Sequence, residues 1–187
     1  GVVDFTQRIL QRGLSSALDI GCGAGRHVVH MAQRGVRVVG MDNAPTALRL
    51  TRQWLENEKL DAGLVTADMR VGFPFASNAF DVVLSTQVIH HALLAEVLGA
   101  AREIERIVRP QGVIMISVPA RRASVLESPE NVLLEPNTLA PLEGEEKGLP
   151  HHFFSPEEFR DIFPHFDVLD LRTAVDGKVI VLEAVKR

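Results

Sequence analysis

The sequence has a single cysteine, Cys22, so the chain cannot form an internal disulfide bond. A chain without disulfides suits a reducing compartment, and we therefore expect a cytoplasmic protein. No apolar run approaches the length needed to cross a membrane, and the opening GVVDFTQRIL lacks the charged-then-apolar layout of a signal peptide. These absences argue against disulfide-stapled and membrane-spanning proteins, and we expect no membrane partner.

Positive charge is not in excess either. The formal net charge is −4 at pH 7 and the pI is about 6.0, so no nucleic-acid partner is indicated, although charge alone does not exclude one. With 187 residues, 46% of them hydrophobic, the chain has the size and composition of one domain, residues 1–187. Because it begins with glycine, we expect native N-terminal residues to be missing. The oligomeric state is left open.

Apolar strand-like stretches alternate with helical ones along most of the chain. Strands are predicted at 17–20, 36–42, 63–68, 80–86 and 113–119, and helices at 26–35, 47–58 and 92–108. This alternation, with strands apolar on both faces, predicts a parallel sheet covered by helices on both sides, a three-layer doubly wound α/β sandwich. Near the C-terminus, FDVLDLR and KVIVLEAVK flank the turn signal Asp176-Gly177 and predict a hairpin that adds one antiparallel strand.

The stretch LDIGCGAGRH places three glycines between a predicted strand and a predicted helix. Gly21, Gly23 and Gly25 allow a tight turn and a close approach of ligand to backbone, at the sheet edge where open α/β proteins bind ligands. A dinucleotide fingerprint needs its third glycine one position later, where this sequence has Arg26. Asp19 would also repel a pyrophosphate, whereas it would attract a cationic ligand.

Asp42 closes the next predicted strand, VRVVGMD, about 20 residues after the loop, where an acid is placed to accept both hydroxyls of a ribose. A nucleoside with a cationic tail fits both acids. S-adenosylmethionine, with its sulfonium and ammonium groups, matches that description. An NAD-dependent oxidoreductase is the weaker alternative, and a cofactor-binding regulatory module without turnover stays open.

Five stretches, in order, resemble class I S-adenosylmethionine-dependent methyltransferases, the small Rossmann-like kind. They are LDIGCGAGRH, VVGMD, TADMRVGFPFASNAFDVVLS, VIHH and EIERIVRPQGVIMISVP. The resemblance runs from about Ala17 to Lys186 and implies a Rossmann-like fold and transfer of a methyl group from S-adenosylmethionine to a nucleophilic atom of an acceptor. Gln111 stands where the family usually has glycine, in a structural turn.

The resemblance also implies roles for single residues. Asp19 and the glycines would hold the methionyl end, Asp42 the ribose, and Asp68 with Met69 the adenine. A carboxylate can accept from the adenine amino group, while a methionine covers the ring face. Asn43 could reach the ligand or cap the following helix. The cofactor-binding residues predicted are Asp19, Gly21, Cys22, Gly23, Gly25, Asp42, Asn43, Asp68, Met69 and Ser85.

Two histidine pairs stand near the expected methyl position. His90 and His91 follow the fourth strand, and His151 and His152 lie in GLPHHFF. We predict no metal site, because adjacent residues in a regular element point apart and no cysteine or spaced carboxylate completes a ligand set. His90 and His91 are candidate catalytic residues, since histidine titrates near neutrality. Alignment of the reactants could suffice without a base, and His91 could be a plain surface residue.

Residues 120–150 break the alternation. They show no clear period, and they contain four prolines and the acidic run EGEEKG. An irregular segment of this length, leaving the ligand-binding edge of the sheet, is either an acceptor lid or a decorated surface loop. In the resembling family the acceptor is gripped outside the core sheet. A lid here would bring His151 or His152 towards a small-molecule acceptor, while Phe153 and Phe154 anchor the next helix.

Overall fold

Helices and strands alternate through the first two thirds of the chain, as the sequence predicts. The computed structural model describes all residues, Gly1–Arg187. The helices are α1 Val2–Gln11, α2 Arg26–Ala32, α3 Pro45–Glu58, α4 Leu94–Ile107, α5 Ala123–Leu126 and α6 Pro156–Asp161. The strands are β1 Ser16–Ile20, β2 Arg37–Asp42, β3 Gly63–Thr66, β4 Phe80–Thr86, β5 Val108–Pro119, β6 Asn131–Glu135, β7 Thr138–Pro141, β8 His151–His152, β9 Phe166–Thr173 and β10 Val179–Lys186. None of the helices has the length and apolar content to cross a bilayer.

Local sequence explains where several elements begin. Pro45 and Pro156 occupy the first turns of α3 and α6, where the missing N–H of proline costs nothing. Ser155 caps α6, because its hydroxyl accepts from the backbone N–H of Glu158 at 3.1 Å. Gln111 has a left-handed φ of 63°, which explains why a glycine would suit this turn. It lies inside β5, which begins at Val108 and not, as predicted, after the Arg109-Pro110 turn.

The main sheet has seven strands in the order β3-β2-β1-β4-β5-β10-β9. Strands β1 to β5 pair in parallel, whereas β10 is antiparallel to both β5 and β9. The predicted mainly parallel sheet with one antiparallel strand is therefore confirmed. The strand order reverses between β1 and β4, so a crevice opens beyond their carboxyl ends, where such sheets bind ligands.

Two apolar clusters cover the two faces of this sheet. One packs α1, α2 and α3 against it through residues such as Phe5, Met31 and Leu55. The other packs α4 and α6 against the opposite face, with Ile104 and Phe159 fully buried. The predicted three layers are confirmed, and helices on both faces leave only the strand ends open to a ligand.

The expectation of an irregular segment at residues 120–150 is wrong. After the short α5, β6 and β7 form an antiparallel hairpin, and β8 pairs with β7 to complete a second, three-stranded sheet. The hairpin turns at Asn137, whose φ is 62°, a conformation that asparagine tolerates well. Thr138, Leu139 and Ala140 are buried. β7 was not predicted, because its apolar pattern spans only four residues among prolines and acids.

Candidate functional site

The glycine loop follows β1 and turns back into α2. Gly21, Gly23 and Gly25 have φ values of 66°, 55° and 89°, all in the left-handed region that favours glycine. A Cβ on Gly21 would overlap the Val88 side chain, and one on Gly25 would lie 2.5 Å from Thr51 Cγ2. Gly23 has open space around it. The predicted tight turn is thus present, and two of its glycines are also required by packing.

Asp42, at the end of β2, holds the loop in place. One carboxylate oxygen accepts from the N–H of Gly23 and the other from the N–H of Ala44, both at 2.8 Å. Two further lone pairs remain for a ligand. The next residue, Asn43, lines a cavity at this edge of the sheet. The N-cap position of α3 is Ala44, so the alternative of Asn43 as helix cap is wrong.

A cavity of about 280 Å³ opens at the carboxyl ends of the parallel strands. The residues that line it are Ile20, Gly21, Met41, Asp42, Asn43, Ala67, Asp68, Met69, Arg70, Val88, His91 and Leu149. Six of the residues singled out in the sequence therefore meet at one cavity. Val88, Arg70 and Leu149 were missed, since a lone apolar residue or arginine in a loop carries no pattern that marks it.

Asp19 lies in β1 just beneath the loop and is only 1% exposed. Burial raises the pKa of Asp19 to about 8; the nearby Asp42 carboxylate adds to the rise, and Arg26 opposes it. One of its carboxylate oxygens is buried without a hydrogen-bond partner. A buried, unpaired carboxylate is costly unless a cation or donor meets it, so this residue suits a ligand that carries positive charge.

Asp68 and Met69 lie at the opposite end of the cavity, after β3. Arg70 donates from Nη2 to Asp68 at 2.6 Å, and its Nε contacts both carboxylate oxygens. The hydrogen bonds from Arg70 lower the pKa of Asp68, which keeps it ionised and able to accept a further donor. Met69 is half-buried and packs against the core. The adenine role of both residues stays a prediction.

Two predicted cofactor residues have their side chains elsewhere. Cys22 Sγ packs in the core beside Gly40, where burial raises the pKa of its thiol to about 12. Its backbone holds the loop, since its N–H donates to the carbonyl of Met41 at 3.1 Å and its carbonyl accepts from the N–H of Gly25 at 3.0 Å. Ser85 is fully buried inside β4 and does not line the cavity. Their positions at or just after the ends of strands placed both residues near the site, but position alone does not tell which way a side chain faces.

The histidines converge at the other side of the cavity. The ring centroids of His90 and His91 are 4.0 Å apart, and His151 lies 4.6 Å from His91 and 5.6 Å from His90. The argument that adjacent histidines point apart was wrong here, because His90 and His91 lie in the turn between β4 and α4 and not in a regular element. Burial, together with the neighbouring histidines, lowers the pKa of His90 to about 2.

His152 faces away from this cluster. It is fully buried, with Nδ1 2.7 Å from Thr138 Oγ1 and Nε2 3.3 Å from Glu158 Oε1. Its ring nitrogens therefore join β8 to β7 and to α6, so of the two histidines that the sequence left open, His152 does not turn towards the cavity. His151 instead points to His90 and His91, and Phe154 anchors α6 through Phe159, with ring centroids 5.3 Å apart.

A family model described as a methyltransferase domain matches residues 18–116, more than half of the chain. The chain therefore belongs to this family, and its fold is that of the class I S-adenosylmethionine-dependent methyltransferases. The resemblance seen in the sequence is confirmed, and with it the predicted methyltransferase domain and the cofactor of its family, S-adenosylmethionine. The matched residues run from β1 into β5 and so include the glycine loop, Asp42 and the His90-His91 turn.

Named relatives act on different acceptors. The chain is 38% identical over 97 residues to the 18S rRNA (guanine-N(7))-methyltransferase bud23 of Schizosaccharomyces pombe, covering 50% of this chain and 35% of that protein. It is 34% identical over 99 residues to the ubiquinone biosynthesis O-methyltransferase of Methylocella silvestris, covering 52% and 37%. The chain thus spans little more than a third of the length of these two relatives.

A solved structure shares the fold over the whole chain. The 1,6-didemethyltoxoflavin-N1-methyltransferase of Burkholderia thailandensis superposes with a TM-score of 0.72 at 19% identity, covering all of this chain and 78% of that one. That structure holds 1,6-didemethyltoxoflavin and S-adenosylhomocysteine. At this identity the likeness concerns the fold.

Proposed function

We propose that this chain transfers the methyl group of S-adenosylmethionine to a nucleophilic atom of a small-molecule acceptor. The observation that carries the proposal is the closure of the cavity by the second sheet. Leu149 lines the cavity, and His151 packs edge-on against His91, which also lines it. An acceptor that must enter beneath these residues is small, whereas a folded RNA would need an open face. The net charge of −4 also favours a small molecule.

The residues of the glycine side fit this cofactor. Asp42 would accept from the two ribose hydroxyls, and its position is already fixed by the N–H groups of Gly23 and Ala44. Asp68, Met69 and Asn43 would surround the adenine end. The unpaired oxygen of Asp19 would face the positive charge of the methionyl end through the glycine loop. When bound, the cofactor supplies an activated methyl group on a sulfonium.

His91 is the better of the two catalytic candidates. It lines the cavity, whereas His90 is 4% exposed and lies behind it. A histidine with a pKa as low as about 2 is a poor proton acceptor at neutral pH, which argues against His90 as a general base. His91 would position the acceptor or take its proton, and alignment of nucleophile and methyl group supplies the rest of the rate.

We propose residues 120–150 as the acceptor lid, although not as one uniform segment. β7 is buried, and β8 is fastened by the bond from the N–H of His152 to the carbonyl of His90 at 2.9 Å. Residues 143–148 are exposed. Hydrogen exchange with and without S-adenosylhomocysteine should therefore slow at 142–149 while β7 stays protected throughout. If residues 142–149 exchange at the same rate in all states, the segment is a plain surface loop and not a lid.

The proposed activity is tested by a methyl-transfer screen that detects S-adenosylhomocysteine. The enzyme is incubated with fractionated metabolite pools in one arm and with ribosomal RNA in the other, and the Asp42→Ala variant is the blank. Product from a metabolite fraction alone is expected. Product from RNA alone would replace the small-molecule acceptor by nucleic acid. Tight cofactor binding with no product in either arm would support a binding module without turnover.

A further inference from the structure

His90, His91 and His151 bring three imidazole rings together, whereas the proposed methyl transfer uses only one of them, His91. The three side chains offer ring nitrogens that all lie within 4.8 Å of one another. Two come from the turn after β4 and the third from β8, about 60 positions later in the printed sequence. The two segments are joined by the backbone bond from His152 N to His90 O at 2.9 Å. The fold therefore holds the three imidazoles together.

Protein groups do not satisfy this cluster. The Nδ1 atom of His90 is buried without a hydrogen-bond partner, and the buried Nε2 atom of His151 makes no hydrogen bond, with the Glu146 carboxylate 3.4 Å away. His90 is only 4% exposed, so bulk water does not serve as its partner. The neighbouring His152 shows the contrast, since both of its ring nitrogens have a protein partner. Buried polar atoms are normally paired, so the orphaned nitrogens at His90 and His151 point to a ligand shared among the rings.

We propose that His90, His91 and His151 bind one divalent transition-metal ion at the edge of the cavity. Imidazole nitrogens select ions such as Zn²⁺, Co²⁺ or Ni²⁺, whereas Mg²⁺ and Ca²⁺ prefer oxygen ligands. Three histidines with one open position are a common arrangement for zinc at catalytic sites. The carboxylate of Glu146 lies 3.4 Å from His151 Nε2 and is within reach as a further ligand or as a partner of that ring.

The distances require a small adjustment. Ligand nitrogens around a tetrahedral zinc ion lie about 3.4 Å apart, given Zn–N bonds of about 2.0–2.1 Å. The longest separation here is up to 4.8 Å, so the rings must close by little more than 1 Å. His91 and His151 are only partly buried, and Glu146 is exposed, which leaves room for side-chain rotation. No movement of the backbone is needed.

The position of the ion suggests its use. Because His91 also lines the cavity, an open coordination site would face the acceptor side. There the ion would bind an acceptor hydroxyl or thiol and favour its deprotonated, nucleophilic form. This role depends on the proposed methyltransferase function, whereas the ion site itself does not. As a metal ligand, His91 would no longer be free to act as a base.

The test is metal binding without methyl donor. Tag-free protein, stripped with a chelator, is titrated calorimetrically with Zn²⁺ and, in parallel, with Co²⁺ while its visible absorption is followed. We expect one ion per chain and a Co²⁺ spectrum with nitrogen ligands in a four- or five-coordinate site. His91→Ala and His151→Ala should each weaken Zn²⁺ binding at least tenfold. His165→Ala, which removes an exposed histidine outside the cluster, should leave it unchanged.

Circular dichroism and thermal unfolding of each variant verify that its fold is intact, since His91 itself lines the cavity. Absence of stoichiometric binding, or equal binding by all three variants, would overturn the proposal. Binding that is retained in a protein with no methyltransferase activity would instead overturn only the proposed function. Glu146→Gln separates the role of the carboxylate, since a loss of Zn²⁺ affinity there of several-fold identifies it as a ligand.

Discussion

The two sides of the cavity are built in different ways. On the glycine side, the loop between β1 and α2 is held by Met41 and Asp42 of β2 and by Thr51 of α3, the next two elements along the chain. On the histidine side, His91 contacts His151 of β8, and Leu149 from the segment just before β8 lines the same cavity, so both partners come from far along the chain. In the proposed function, the first side would bind the cofactor common to the family, and the second would face the acceptor. A site built from neighbouring segments suits a ligand that is the same throughout a family, whereas segments distant in the chain suit a ligand that varies between its members.

The largest effect is expected where the glycine loop is packed most tightly. Gly21→Ala should destabilise the fold by about 3 kcal/mol, because a left-handed φ costs about 1–2 kcal/mol and overlap with Val88 adds about 1–3 kcal/mol. Gly23→Ala is the matched control, since its φ is also left-handed but nothing lies within 4 Å. It should lose only about 1–2 kcal/mol. Denaturant titration measures both, and equal losses would refute the packing argument.

Asp42→Ala should weaken binding of S-adenosylmethionine by about 1.5 to 3 kcal/mol, because charge-assisted hydrogen bonds to two hydroxyls are lost. The same change also frees the N–H groups of Gly23 and Ala44, so part of the loss could come from the loop. Calorimetry with S-adenosylmethionine and with its 2′-deoxy analogue separates the two. If the analogue loses as much affinity as the parent cofactor, Asp42 acts through the loop alone.

The sequence predicts the glycine side better than the histidine side, because the glycine side is built from neighbouring segments and the histidine side from distant ones. The alternation of strands and helices, the turn at the three glycines and the position of Asp42 follow from local periodicity and from the tolerance of glycine for a left-handed φ. The convergence of His91 with His151 depends on β7 and β8, whose pairing is a long-range event that no local pattern specifies. The prediction that the side chains of Cys22 and Ser85 face the cofactor is not met for a related reason, since packing against neighbouring elements decides which way a side chain points.

Asp19 tests whether charge or shape governs the glycine side. Its pKa is raised to about 8, so the folded protein keeps a proton that the unfolded chain loses near the ordinary aspartate pKa of 3.8. Ligand-free stability should therefore fall as pH rises between these values, and the full penalty is present above about pH 8. Asp19→Asn should remove this fall. Urea titrations at several pH values measure it, and an unchanged pH slope in the variant would contradict the assignment.

The same ionisation should appear in cofactor affinity. A cationic ligand favours the charged form of Asp19, so affinity for S-adenosylmethionine should rise up to about tenfold per pH unit between about pH 5.5 and 7.5. Methylthioadenosine, which carries neither the sulfonium nor the ammonium group, should show no such rise. Asp19→Asn should abolish the difference between the two ligands. Parallel slopes for both ligands in the wild type would show that Asp19 acts through loop shape.

The smallest effect is expected on the histidine side, where the second sheet closes the cavity. Leu149→Ala should weaken S-adenosylhomocysteine binding by about 0.5–1 kcal/mol, because a half-buried side chain that lines the cavity loses part of its apolar contact. Leu142→Ala is the matched control, since Leu142 lies in the same segment but is 46% exposed and does not line the cavity. It should leave affinity unchanged. Calorimetry on both variants decides the matter: if Leu149→Ala binds like the wild type, the second sheet borders the acceptor alone and the cofactor is held by the glycine side without it.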